Sequence, residues 1–215
     1  SFLVDAENAR DAGRELYDAV YAEWSKLPSE SRPKLISYGL SLGSFGGQAV
    51  FSSAQDIHRS VDGALFVGTP NNTELWRTIT DNRDSGSPEV KPVFQGGQTT
   101  RFASSKEDIK PTHTLYVQHA SDPVVWWSYD LLLHKPDRLR EPRGRDVSPK
   151  VRWVPVVTFF QATVDQFFGV SVPNGYGHNY ANVMVDSWAA VAAPTGWNQA
   201  QSDSLQKIID AYPNE

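Results

Sequence analysis

Cysteine is absent from this 215-residue chain, which rules out disulfides and thiolate chemistry and leaves its redox compartment open. Long apolar runs are absent too: no stretch approaches the roughly 20 residues needed to cross a bilayer, and no signal peptide is visible at Ser1. The chain as given is therefore expected to be soluble. A basic excess is also missing. Twenty Lys and Arg stand against 25 Asp and Glu, a formal charge of −5, and no cationic stripe with interleaved aromatics points to nucleic acid as a partner. The five histidines show no HExxH-like spacing and the acids form no DxD clusters, so neither a metal nor a cofactor is expected. The one dense basic stretch, Lys135 to Arg145, contains Pro136, Pro142 and Gly144. It reads as a solvated loop, with binding of anionic head groups as the alternative.

What is present is ordinary globular material, 40% hydrophobic and 21% charged, enough for one domain spanning 1–215 with no internal repeat. The first helical pattern runs from Ala6 to Lys26, with Leu16, Tyr17, Val20, Tyr21 and Trp24 on one face and Asp5 as its N-cap. A strand at Lys34 to Tyr38 follows, then a helix from Ser44 to Ser53, a strand at Asp62 to Val67 and a short helix between Asn71 and Asp81. Asn82 to Pro111 is rich in turn residues and reads as a loop that covers a site. Thr114 to His119 predicts a third strand, Trp126 to Leu133 a helix, and Val151 to Val154 a fourth strand cut short by Pro155. Helices are predicted over Val156 to Phe168, Asn182 to Ala193 and Ser202 to Tyr212. The paired aromatics Trp126-Trp127, Phe159-Phe160 and Phe167-Phe168 read as core. Strands alternating with helices at these lengths indicate an α/β fold with a mostly parallel sheet.

The chemistry is concentrated where the first strand ends, at Gly39-Leu40-Ser41-Leu42-Gly43. A GxSxG pattern at a strand-to-helix junction is a nucleophile elbow: the serine sits in strained backbone, and Gly39 and Gly43 leave room around it. The backbone N–H of Leu42, opening the next helix, is placed to donate to an oxyanion. A chain of this length meets the pattern by chance about once in fifteen, so its setting must carry the reading. A serine hydroxyl needs a general base, and the base needs a carboxylate. In the elbow-bearing fold these follow in the order Ser, acid, His. Asp122, just beyond the third strand, takes the acid position, and His178, in the loop between Gly169 and a terminal helix, takes the base position. Asp130, Asp146 and Asp165 are rival acids, and Asp122 before Pro123 also suits a turn or a helix cap. His119 is the rival base and reads instead as a buried histidine behind the site. Trp126 and Trp127, four and five residues past Asp122, are expected to line the substrate pocket with Leu40, with an apolar acyl chain as the occupant.

Taken in order, Tyr-Gly-Leu-Ser-Leu-Gly-Ser-Phe-Gly-Gly from Tyr38, Val-Gly-Thr-Pro from Val67, Gln-His-Ala-Ser-Asp-Pro-Val-Val-Trp-Trp from Gln118 and Gly-Tyr-Gly-His-Asn-Tyr from Gly175 resemble a family of actinobacterial α/β-hydrolase-like proteins. The resemblance implies an α/β-hydrolase three-layer sandwich with Ser41, Asp122 and His178 as nucleophile, acid and base. It also implies an N-terminal membrane-spanning region ahead of the hydrolase domain, and hence a bacterial membrane or envelope location. The family's elbow often has Glu where this chain has Leu40. Only 33 residues precede Lys34, enough for one helix, so the strands that normally precede the elbow, and the loop that donates a second oxyanion N–H, are expected to be missing from this chain. The function expected is a serine hydrolase cleaving small or lipid-like carboxylic esters through an acyl-serine. Acyl transfer by the same triad and a non-catalytic binding domain are the alternatives.

Overall fold

A computed structural model describes residues 6–211; Asp5, the expected N-cap, lies outside the described residues. The chain forms α1 (Ala6–Trp24), β1 (Ile36–Leu40), α2 (Leu42–Gln48), α3 (Ala54–Ser60), β2 (Gly63–Val67), α4 (Glu74–Asp81), β3 (Thr100–Ala103), β4 (Thr114–Val117), α5 (Pro123–Trp126), α6 (Val157–Phe168), α7 (Met184–Ala192) and α8 (Gln199–Ala211).

The four strands make one parallel sheet in the order β1-β2-β4-β3. The central strands, Gly-Ala-Leu-Phe-Val and Thr-Leu-Tyr-Val, are buried at every position. That is why they read as continuous apolar runs with no polar face, since both sides of a parallel sheet are covered by helices. Alternate residues feed two cores. Ala64, Phe66, Phe102 and Tyr116 pack with Ile57 of α3 and Trp76 and Ile79 of α4. Leu65, Val67, Leu115 and Val117 pack on the opposite face with Val183 and with Ala190 and Val191 of α7. The result is a helix–sheet–helix sandwich. β1 is an edge strand whose outer side pairs with no strand among the described residues.

Four expectations change. The helix predicted from Trp126 to Leu133 is absent: α5 ends at Trp126, and a short 3-10 turn over Tyr129–Leu132 follows. The single helix predicted over 44–53 is two, because Ser53 caps α3 by accepting from the Asp56 N–H while Asp56 accepts from Ser52, a reciprocal arrangement that starts a new helix. β3 falls inside the stretch read as loop: its four residues include Arg101, carry too little alternation to be seen, and are held in place by β4. Val151 to Val154 is not a strand, since both sheet edges are elsewhere. There the Trp153 indole donates to the Leu131 carbonyl, and the Val154 N–H to the Thr158 hydroxyl.

Candidate active site

Ser41 joins β1 to α2 with φ 56° and ψ −123°, a left-handed conformation that costs a non-glycine residue about 1–3 kcal/mol and persists only where its surroundings impose it. They do so here. The Ser41 N–H is held by the Val67 carbonyl at 2.9 Å, extending the β1–β2 ladder one residue past the strand. Below the turn a buried polar chain ties α2 to the sheet. The Ser44 hydroxyl pairs with Thr69 at 2.7 Å, Gln48 Nε2 donates to the Ser44 carbonyl at 3.0 Å, and Tyr116 donates to Gln48 Oε1 at 2.8 Å. The two elbow glycines are not equivalent. A Cβ on Gly39 would overlap the Gly43 carbonyl, whereas one on Gly43 would meet nothing. The expectation that both supply room holds only for Gly39, because it is the backbone of Gly43 that crowds it. The N–H of Leu42 is the first of α2 and takes no backbone acceptor, leaving it available to a developing negative charge.

Asp122 is fully buried and uses both oxygens. Oδ1 accepts the Val124 N–H at 2.8 Å, capping α5, with Pro123 at the helix's first position. Oδ2 accepts His178 Nδ1 at 2.7 Å and the Tyr180 hydroxyl at 2.6 Å. This carboxylate therefore caps α5 and holds the His178 ring at the same time. Because the carboxylate accepts, Nδ1 carries the hydrogen and the lone pair of His178 faces outward from Nε2. That nitrogen is buried and has no hydrogen-bond partner. The ring edge at Cε1 lies over Gly68, whose φ of +54° and lack of a side chain make the space. Gly68 directly follows Val67, the residue that holds the Ser41 N–H. Ser41, Asp122 and His178 thus gather at the C-terminal ends of adjacent parallel strands, where α/β sheets place their sites.

His178 is not delivered by a strand of its own. Its loop is gripped by the segment that carries Asp122. The Gly177 N–H donates to Ser121 Oγ at 2.8 Å, and the Gly177 carbonyl accepts His119 Nδ1 at 2.9 Å. Ser121 donates in turn to Asp146, through its hydroxyl at 2.5 Å and its N–H at 2.7 Å. The His119 ring stacks on Tyr180 with centroids 4.2 Å apart, and the His119 backbone N–H donates to the Tyr180 oxygen at 3.1 Å. Burial, with the Asp122 charge adding to it, raises the Tyr180 pKa well above its ordinary value, so the phenol stays protonated and can only donate to Asp122. Burial holds His119 below its ordinary pKa, which keeps it neutral. Asp146 was weighed from sequence only as a rival acid. Tyr180, Ser121, Gly68 and Thr69 lie inside the quoted motifs, but nothing about residue type alone shows which of them folds back onto the site.

The expected pocket residues fare differently. Leu40 is exposed on β1, beside Ser41. Trp126 and Trp127 are buried: Trp126 donates to the His119 carbonyl beneath the Arg138 guanidinium, and Trp127 donates to Thr163 of α6. Trp126 touches a cavity of ≈ 270 Å³ that borders Asp122 and Asp146 but neither Ser41 nor His178. As large aromatics with one donor each, both indoles are accommodated in the core once that donor is satisfied. Among the described residues, no group of three or more His, Asp or Glu is arranged to hold a metal ion.

Searches of curated proteins and of solved structures each returned no match. The sequence profile described as the alpha/beta-hydrolase family does match, over residues 1–205, and with its parallel sheet and helical layers the chain belongs to that family.

Proposed function

We propose that the chain is a serine hydrolase that cleaves carboxylic esters through an acyl-Ser41 intermediate. One observation carries this reading: a buried histidine whose Nδ1 is fixed on a carboxylate while Nε2 is left without a partner, lying over Gly68 next to the residue that holds the N–H of a serine in a strained elbow. A buried polar atom left unpaired is costly, and a base that must accept and release a proton is the ordinary reason for it. Ser41 Oγ attacks the ester carbonyl carbon and passes its proton to His178 Nε2. Asp122 holds the imidazolium, and the oxyanion takes the Leu42 N–H. Collapse breaks the C–O bond, and the alcohol leaves with the proton from Nε2. Water then gives a proton to Nε2 as it attacks the acyl carbon, and Ser41 Oγ leaves reprotonated with the free acid.

An apolar cavity of ≈ 580 Å³ between α1 and the outer edge of β1 reaches Leu42, and Leu16, Tyr17, Val20 and Ile36 line it. It is apolar enough for an acyl chain but borders neither Ser41 nor His178, and it lies at the edge where a further strand would pair with β1. A fluorophosphonate probe and a nitrophenyl ester test the proposal. Stoichiometric labelling and turnover, both abolished by Ser41→Ala in a folded protein, are expected; turnover undiminished in that variant overturns it. Acyl transfer uses the same residues and differs in the acceptor, so product analysis with added alcohols separates it from hydrolysis.

The second reading is a binding domain that retains the fold without turnover. The edge of β1 favours it, since among the described residues no strand pairs there to bring a loop with a second oxyanion donor. Losing one such donor lowers turnover on the order of 100-fold to 1,000-fold. A folded chain that gives no Ser41 adduct selects this reading.

A further inference from the structure

Helix α6 is inside out. Its inward stripe is Thr158, Phe159, Ala162, Thr163 and Gln166, with Thr163 bonded to Trp127 and Thr158 to the Val154 N–H. Its outward stripe, at helical spacing, is Val157, Phe160, Val164, Phe167 and Phe168, exposed by 49%, 59%, 54%, 79% and 63%. The aromatic pairs expected in the core are thus split, with only Phe159 turned inward. The apolar surface continues through Val154, Val156 and Val170. The three exposed phenylalanine rings alone present roughly 400 Å², the size at which an exposed apolar patch marks an interaction site.

Two cations stand at one end of this patch. The wider stretch from Lys135 to Arg152 has seven Lys or Arg against three Asp or Glu, but Arg138 is half-buried against Trp126, and Arg140 and Arg145 are paired with Asp137 and Glu107. Lys150 and Arg152 are exposed, immediately precede the patch, and have no acidic partner within ion-pair distance among the described residues. A second copy seated on the patch by two-fold symmetry would bring these cations together, which argues against self-association. At 12 residues α6 is about 18 Å long, too short to cross a bilayer but suited to lying in its surface with the apolar stripe down.

We infer that the outward face of α6, with Lys150 and Arg152 at its rim, docks on an anionic lipid bilayer. The position of the face gives this a consequence for catalysis. Helix α6 runs into Gly169, whose carbonyl accepts the His178 N–H at 2.7 Å, so the docked face adjoins the loop bearing the base. Resting on the ester-hydrolase reading, the substrate class becomes esters presented at a membrane surface; the docking itself does not depend on that reading.

Co-sedimentation with vesicles of phosphatidylcholine, with and without about 30% phosphatidylglycerol, tests the docking. The chain is expected to partition at least about tenfold more strongly onto the anionic vesicles, less so as salt rises. Phe167→Asp with Phe168→Asp, and separately Lys150→Glu with Arg152→Glu, are each expected to lower that partition about tenfold while turnover of a water-soluble ester is retained. Ser41→Ala is expected to bind vesicles as the parent chain does, so docking and hydrolysis fail independently. No binding, equal binding to both vesicles, binding indifferent to these substitutions, or a dimer in sedimentation velocity that the Phe substitutions dissolve would each overturn the inference.

Discussion

The Cε1 edge of His178 occupies the space that a side chain on Gly68 would fill. Gly68→Ala meets two obstacles there, a φ of +54° that disfavours any side chain and direct overlap with the imidazole. The expected outcome is a loss of about 100-fold or more in kcat with the sheet intact, since misplacing a reacting group by about 1 Å costs that much. Steady-state kinetics alongside circular dichroism measures it; a variant of full activity would mean that the ring does not rest there.

The elbow glycines give an asymmetric pair. Gly39→Ala should lose about 2–4 kcal/mol of stability, because its Cβ overlaps backbone that cannot move aside. Gly43→Ala, pointing into open space, should change stability by under about 1 kcal/mol and in the favourable direction for a helix. Urea denaturation of the two variants makes the comparison, and equal losses would contradict it.

Tyr180→Phe removes one of the two donors on Asp122 Oδ2 and leaves the ring stacked on His119. A hydrogen bond to a charged group is worth about 1.5–3 kcal/mol, so kcat should fall roughly tenfold to a hundredfold with KM little changed. Asp122→Asn should cost more, on the order of 10⁴, by removing the group that holds the His178 tautomer.

Ser121 and Asp146 act at one remove, by fixing the Gly177 N–H. Ser121→Ala and Asp146→Asn should each slow turnover, and the double variant should be no slower than the worse single one, since both break the same linkage. Additive losses in a double-mutant cycle would show two separate roles.

Acid should weaken the fold through two histidines. Desolvation lowers the pKa of His113, which also bonds the Val61 carbonyl at 2.8 Å, and that of His119. Both are held below their unfolded value of about 6.5. Their stabilising contribution is therefore complete above about pH 6.5 and is lost as pH falls through the lower native values, because the unfolded chain takes up protons first. Melting temperatures from pH 8 down to about pH 4.5 should decline less steeply in a His113→Gln, His119→Gln double variant than in the parent.

How far the sequence reaches depends on which physical signal a residue carries. β2 and β4 were legible because burial on both faces leaves an unbroken apolar run. The order of Ser41, Asp122 and His178 was legible because each lies in its own short motif at the end of an element. β3 was not, since a four-residue edge strand containing Arg101 is defined by its partner rather than by its own pattern. Phe160, Phe167 and Phe168 show a different limit. Their spacing states that they share a helix face, but not whether the face turns inward. Trp126 and Trp127, open to both a core and a pocket reading from sequence, are buried, and proximity in sequence to Asp122 carries no direction.

The double grip on Gly177, its N–H on Ser121 and its carbonyl on His119, separates the accuracy of the base from the path taken to reach it. His178 lies 56 residues beyond Asp122, yet its backbone is registered against the four residues from His119 to Asp122. The intervening excursion, α6 included, is thereby uncoupled from that seat: its length and outer surface can change while the returning loop clips into the same place.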